Sequence, residues 1–443
     1  MEMRFGGVRA YRRARAVPLP DRRVTDARIA RRWEIALMIA VAIAISYLDR
    51  QTLPWAIKSV EHDIPIGNQT KAFLDSAFLA TYGLMYLGGG WLLDRIGTRL
   101  GLLAIMTLWS LACASHGLAG GVLALAASRL LLGAGEGGGF PAATRAVAEW
   151  FAPRDRAAAM GLVNAGTAVG AVVAPPLIAG ILGHIGWFGL ASWRWVFFLT
   201  GALGLAWALW WWTSYRTPAA SVPGELVAAD TDGQLSLAML LGRREVLGIV
   251  AAKFLSDGAW YFYLFWLPKY LFEARGFDLK QAATIGWIPY AASGVGSLCG
   301  GYLSSRLLAR GWSVDAARKI ALAASAALMP WVMLVPATGS IAGVLFLFSL
   351  AFFGQQSWST LVMTLPTDLV PRAALGRLAG LVGLGGAFGG IAMGQAAGWA
   401  LDAGLGYTPV LVLAASLHLI AFGLICLAIP RIRQLAFSGS IRP

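Results

Sequence analysis

The chain has 443 residues, 58% of them hydrophobic and only 13% charged, with a formal net charge of +14 and a mean hydropathy of +0.66. Soluble domains carry about 25% charged residues, so a water-soluble globular fold is excluded. The positive excess is not a nucleic-acid footprint either, because its Arg and Lys sort by position along the chain. Cys113, Cys299 and Cys426 are far apart, as are His62, His116, His184 and His418. Their spacing offers no metal site, disulfide framework or nucleophile–base set, so no metal, no cofactor and no catalytic residue is expected.

In chain order, residues 1–32 form a basic tail with ten Arg, and no cleavable signal peptide precedes the first apolar run. Twelve spans of membrane length follow, at 33–57, 70–93, 101–119, 121–149, 157–183, 193–213, 245–272, 280–308, 318–337, 340–366, 376–402 and 407–430. Each has roughly 20 residues or more, enough to cross a core of about 30 Å. Residues 33–213 thus hold six spans and 245–430 six more, joined by a polar linker at 214–244 with Pro218, Pro223, Gly224 and an acidic stretch at 225–232. A tail at 431–443 closes the chain. Counted outward from the N-terminus, 26 Arg and Lys fall in the tails and even-numbered loops, against five (Lys58, Lys71, Lys269, Arg275 and Lys280) on the other side. This positive-inside bias predicts an integral inner (plasma) membrane protein with both termini cytoplasmic.

Charges interrupt the apolar spans. Asp49 and Arg50 lie in the first, and Arg129 and Glu136 in the fourth. A charge at the bilayer centre costs at least about 2.5–3.5 kcal/mol, so such residues face a water-filled cavity or one another and mark a substrate or ion path. Arg129 and Glu136 are seven apart, which returns to within about 20° of the same helix face. With Asp49 and Arg50 they are expected to form a neutral quartet of two acids and two cations. Lys253 with Asp257, and Arg145 with Glu149, read as i,i+4 helical pairs.

Between spans two and three stands Gly90-x-x-x-Asp94-Arg95-x-Gly97-x-Arg99. Gly90 is expected to permit close helix approach and Gly97 a tight turn. Asp94 is expected to meet a neighbouring helix N-terminus as a cytoplasmic latch. The pattern echoes at Gly301-Tyr-Leu-Ser-Ser305-Arg306, 211 residues later. A second echo pairs Phe151-Ala-Pro153-Arg154 and Gly161-Leu-Val with Leu369-Val-Pro371-Arg372 and Gly380-Leu-Val. Duplicated six-helix halves with a site between them are a transporter architecture. The expected fold is therefore all-α, with 12 transmembrane helices in two pseudo-symmetric bundles.

These motifs resemble the major facilitator superfamily over nearly the full length, and within it the anion:cation symporter family. The resemblance is carried by Tyr47-Leu-Asp49-Arg50, by Arg129-Leu-Leu-Leu-Gly-Ala-Gly-Glu136-Gly and Phe140-Pro141, by Trp260 to Tyr270, and by Gly354-Gln355-Gln356-Ser357-Trp358. The last segment is similar to the hexuronate/aldonate branch, although Gln355 stands where that branch carries a His. The resemblance implies that Asp49 and Glu136 are the protonated coupling groups and that Arg50 contacts a substrate carboxylate, with Tyr82 placed to donate to it. Arg129 is a further anion contact. Tyr263, Gln355, Gln356 and Trp358 are suited to hydroxyls and a sugar-ring face.

The implied function is proton-coupled symport of a small organic anion such as a hexuronate or aldonate, by a monomer whose partners are that anion and the lipid bilayer. A substrate anion that draws the cation away leaves the acid desolvated and without a partner, and such an acid takes up a proton. Anion and proton then enter together, each favouring the other. Organic-anion exchange or drug/proton efflux are the alternatives within transport. A membrane enzyme lacks its chemistry here, and a non-transporting sensor has no need of buried acids.

Overall fold

Gly97 takes φ +75° and ψ 167°, the one non-helical residue inside a 49-residue helix. That kink is how two predicted spans become one hydrogen-bonded element in the computed structural model. The structure describes residues 22–152, 155–216 and 237–435, with side chains of 22–30, 157 and 372–373 excepted. Most of the 1–32 tail, the Pro153-Arg154 step, the core of the linker with its Pro and acidic residues, and Arg442 lie outside the described residues.

The helices are α1 (Arg22–Asp63), α2 (Asn68–His116), α3 (Val122–Glu136), α4 (Gly139–Trp150), α5 (Arg156–His184), α6 (Ser192–Ser214), α7 (Leu237–Leu241), α8 (Arg244–Arg275), α9 (Leu279–Ile285), α10 (Ile288–Ala309), α11 (Val314–Ala326), α12 (Ile341–Leu369), α13 (Arg372–Asp402) and α14 (Thr408–Ala428). Helix α2 contains spans two and three. Span four is broken into α3 and α4, and span eight into α9 and α10. Proline explains both breaks. Pro141 and Pro289 have no N–H for a bond to the residue four back, and the ring clashes with that carbonyl. Eight helices among the described residues are individually long and apolar enough to cross a membrane.

The duplication read from sequence reappears as packing. A Cβ on Gly170 of α5 would lie 2.0 Å from the Ala44 carbonyl oxygen of α1, and one on Gly389 of α13 would lie 1.8 Å from the Phe254 carbonyl oxygen of α8. Gly170 and Gly389 are 219 residues apart, the separation of Gly161 and Gly380. In each half the fifth span therefore touches the first at the same glycine, backbone against backbone. The halves meet along α2 with α13, α1 with α8, and α5 with α9 and α10. Every first-half helix end that starts from the basic N-terminus has its partner end in the second half, so the molecule has a basic end and a far end.

Polar side chains tie the halves together at the far end. Lys269 of α8 reaches Glu61 of α1 at 2.5 Å and Glu273 at 3.5 Å. Lys58 reaches Glu61 at 2.9 Å and also Glu273. Tyr407 donates to Glu273 at 3.0 Å, and Asn68 donates to Asp402 at 2.9 Å. Lys58 and Lys269 were expected in exposed loops. Both instead end helices and sit in this inter-half network.

Candidate transport site

Three glycines let α3 lie against both arms of α2. A Cβ at Gly133 would meet the Phe78 carbonyl oxygen at 2.2 Å, one at Gly135 would meet Trp109 at 2.6 Å, and one at Gly137 would meet the Tyr82 carbonyl oxygen at 2.6 Å. This contact carries Arg129 and Glu136 inward, and Glu136 is the last residue before the Pro141 break. Helix α1 passes on the other side with Ser46, Asp49 and Arg50.

Arg50 grips Glu136 through Nη2 at 2.8 Å and Nε at 3.1 Å, both to Oε2. Ser46 donates to the same oxygen at 2.9 Å. Both partners are almost wholly buried, at 2% and 3% exposure. The Arg50 guanidinium is 4.6 Å from the ring centroids of both Tyr47 and Tyr82 and 5.4 Å from that of Phe78. Tyr82 meets Tyr86 oxygen to oxygen at 3.3 Å, and Tyr261 of α8 is within electrostatic reach of Arg50. Arg50 thus lies in a tyrosine-walled space between the halves, a setting in which a planar cation meets a carboxylate and a sugar ring together.

The neutral quartet expected from sequence does not form. Arg129 pairs with Asp75 of α2, at 2.9 Å, and Lys71 reaches the other oxygen of the same carboxylate at 2.6 Å. The helix-face argument fails because the Gly133–Gly137 stretch packs on two arms of α2, so residues seven apart meet different neighbours. Asp49 is fully buried, and neither of its oxygens has a hydrogen-bond partner among the described residues. The polar groups beside it are Cys113 and Thr200, themselves 3.3 Å apart.

The statistical model of the Major Facilitator Superfamily matches residues 39–394. The chain belongs to the Major Facilitator Superfamily. It is an integral, multi-pass membrane transporter and not an enzyme. It is similar to the D-galactonate transporter of Escherichia coli O6:H1, 28% identical over 410 residues that make up 88% of this chain and 94% of that one. It is also similar to the hexuronate transporter of Escherichia coli strain K12, at 29% identity over 80% and 84% of the two chains, and to the galacturonate transporter of Dickeya chrysanthemi, at 31% over 61% and 81%. The fold matches a bacterial homologue of the human lysosomal transporter Spinster in an inward-facing, unoccupied state, with TM-score 0.75 and 17% identity, covering 90% of this chain and 97% of that one. The large apolar side chains left exposed, such as Leu84, Leu298 and Trp399, are the surface that a bilayer covers in a superfamily member.

In this superfamily frame the second half is less neutral than expected. Lys253 and Asp257 form the anticipated i,i+4 pair at 2.8 Å, but buried, with Lys253 also donating to Ser359 at 3.0 Å. Asp257 lies against α13, where a Cβ at Gly386 would come 2.2 Å from its Oδ2, and it is within electrostatic reach of Tyr47 and Tyr261. Gln355 contacts buried His418, and Trp358 packs edge-on to that imidazole at 5.5 Å. Tyr263 is fully buried against Phe348 and Phe352 of α12, each 6.2 Å away between centroids. Gln356 is half-buried. Of the aromatic candidates on α8, the structure turns Tyr261 toward Arg50 and Tyr263 into its own half.

The Gly90–Arg99 motif is also rearranged. Asp94 meets the Arg145 side chain of α4 at 2.6 Å, with no helix N-terminus involved. Arg145 continues to Glu149 at 3.1 Å, and Glu149 accepts from Thr98 at 2.5 Å and Tyr215 at 2.8 Å. Arg95 stacks on Trp91 at 3.9 Å, and Arg99 stacks on Trp212 at 4.4 Å. Nothing lies within 4 Å of a Cβ built on Gly90, whereas one on Gly89 would meet Gly138 at 3.4 Å. The close approach belongs to Gly89.

Asp75, Lys71, Tyr47, Tyr261 and Asp257 were not among the expected site residues. Asp75 carried a readable signal, since it is an acid within an apolar span, the criterion that selected Asp49 and Glu136. For Tyr47 and Tyr261 an aromatic-rich helix gives no cue to which ring turns inward.

Proposed function

We propose that this protein performs proton-coupled symport of a small sugar-acid anion, a hexuronate or aldonate, across the inner membrane by alternating access. Both termini are then cytoplasmic, the basic end faces the cytoplasm, and the protein acts as a monomer with the proton as coupling ion. The observation that carries the reading is the buried Arg50–Glu136 pair in a tyrosine-walled space between the halves, beside the bare carboxylate of Asp49. An anionic carboxylate arriving at Arg50 competes with Glu136 for one guanidinium. The acid released in a dry site takes up a proton, and the loaded site is again near neutral. A neutral site is occluded at lower desolvation cost than a charged one, which couples proton to substrate. The names of the relatives support the substrate class.

The test is uptake of labelled gluconate and glucuronate into proteoliposomes under an imposed pH gradient, acid outside. Accumulation driven by the gradient is expected, with Asp49→Asn retaining exchange but losing accumulation. Uptake indifferent to the gradient rejects proton coupling, and accumulation under a sodium gradient alone reassigns the ion.

A further inference from the structure

The proposed substrate reading leaves one buried group unexplained. Lys71 and Arg129 are both fully buried and share a single acid, Asp75. Arg129 uses one nitrogen on it, and its Nε and Nη1 have no partner among the described residues. The neighbouring charges are committed elsewhere, Glu136 to Arg50 and Lys269 to Glu61 and Glu273. The cluster therefore holds two cations and one acid out of water. Leaving a buried charged donor unpaired is strongly unfavourable, so an anion is the missing member.

Its place in the fold says which anion. Lys71, Asp75 and Arg129 belong to the first half, but the lid over them belongs to the second. Trp266 of α8 lies 4.4 Å from the Lys71 ammonium, and Phe265 lies 5.8 Å from the Arg129 guanidinium. An ion pair that only braces one half has no need of a roof from the other. The site is sealed while the far end is closed and is uncovered when α8 moves off α2. The Arg50 and Arg129 guanidinium carbons lie 5.4 and 5.1 Å from the centroid of the same Phe78 ring, so they are at most about 10.5 Å apart. The terminal carboxylates of an extended six-carbon diacid are separated by roughly 6 Å, from five C–C bonds of about 1.5 Å. With a charge-assisted contact of about 2.8 Å at each end, one such molecule reaches both cations.

We propose that Lys71 and Arg129 form a second carboxylate subsite, and that the protein accepts a six-carbon dicarboxylic sugar acid with one carboxylate on Arg50 and the other on this pair. The inference rests on the sugar-acid reading above and narrows it. Asp75 holds the two cations in place until the substrate carboxylate joins them.

The experiment compares gluconate, with one carboxylate, and glucarate, with two, in proteoliposomes of the full chain. Wild type is expected to take up both. In Lys71→Met the ratio of the glucarate KM to the gluconate KM is expected to rise at least about ten-fold, the scale of one lost hydrogen-bonded charge contact, and Lys71→Arg restores it. On wild-type protein alone, glucarate is expected to raise the melting temperature more than gluconate at equal concentration, which keeps the test open if the Met variant does not fold. Uptake of gluconate without glucarate overturns this inference and spares the broader reading. A wild type that moves neither acid overturns both. An unchanged KM ratio, or equal melting shifts for the two acids, reduces the cluster to a structural brace.

Discussion

Asp49 and Glu136 are two buried acids of the same half, held in opposite ways. Glu136 is the sole anion on Arg50 and carries three hydrogen bonds, whereas Asp49 makes none among the described residues. Removing one member of a buried pair leaves the other uncompensated, at about 3–5 kcal/mol. Glu136→Gln is therefore expected to lower the melting temperature of the purified protein markedly, while Asp49→Asn shifts stability by no more than about 1 kcal/mol. Equal melting curves for the two variants would contradict the assigned pairing. Arg50→Lys is expected to weaken sugar-acid uptake at least about ten-fold, because an ammonium has neither the two-pronged grip on Glu136 nor the flat face that stacks on Tyr47 and Tyr82.

Among helices, glycine position decides what packs where. Gly97 sits at positive φ in the α2 kink, and a side chain there is strained whatever space surrounds it. Gly97→Ala is expected to cost about 1–2 kcal/mol, while Gly90→Ala, which faces open space, is neutral or slightly stabilising through helix propensity. Thermal melting of the pair separates the two roles that one motif seemed to share. Gly389→Leu should be worse than either, since its Cβ would fall on the Phe254 backbone and force α8 from α13, an overpacking cost of about 1–3 kcal/mol or more.

For the molecule as a whole, alternating access requires the far-end network to break. Lys58, Glu61, Lys269 and Glu273 join α1 to α8 across the two halves. A Lys58→Cys, Glu273→Cys pair, in a background with Cys113, Cys299 and Cys426 replaced, should form a cross-link that stops uptake, and reductant should restore it. Undiminished uptake by the cross-linked protein would show that the halves do not part there. In a Glu61/Lys269 double-mutant cycle the coupling is expected at about 0.5–3 kcal/mol, larger than for surface pairs because Lys269 is buried.

Much of this was legible in the residues themselves. Hydrophobic length set the spans, the Arg and Lys distribution set an orientation to test, and repeated glycine and proline steps exposed the duplication, because each of these depends only on local composition or on translation along the chain. The charged residues in spans one and four were legible as a site for the same reason: a bilayer makes any charge conspicuous. Pairing was not legible. Whether Arg129 meets Asp49 or Asp75, whether Tyr261 or Tyr263 turns inward, and whether Lys71 lies in a loop or beneath Trp266 are set by which helices touch and at what rotation. Those contacts are chosen by glycines such as Gly133, Gly135 and Gly137 acting against backbone atoms tens of residues away. The sequence alone determined that charge is buried in this membrane protein and in which helices, and only the tertiary structure decided which charge neutralises which, since that depends on distances between segments that no local pattern records.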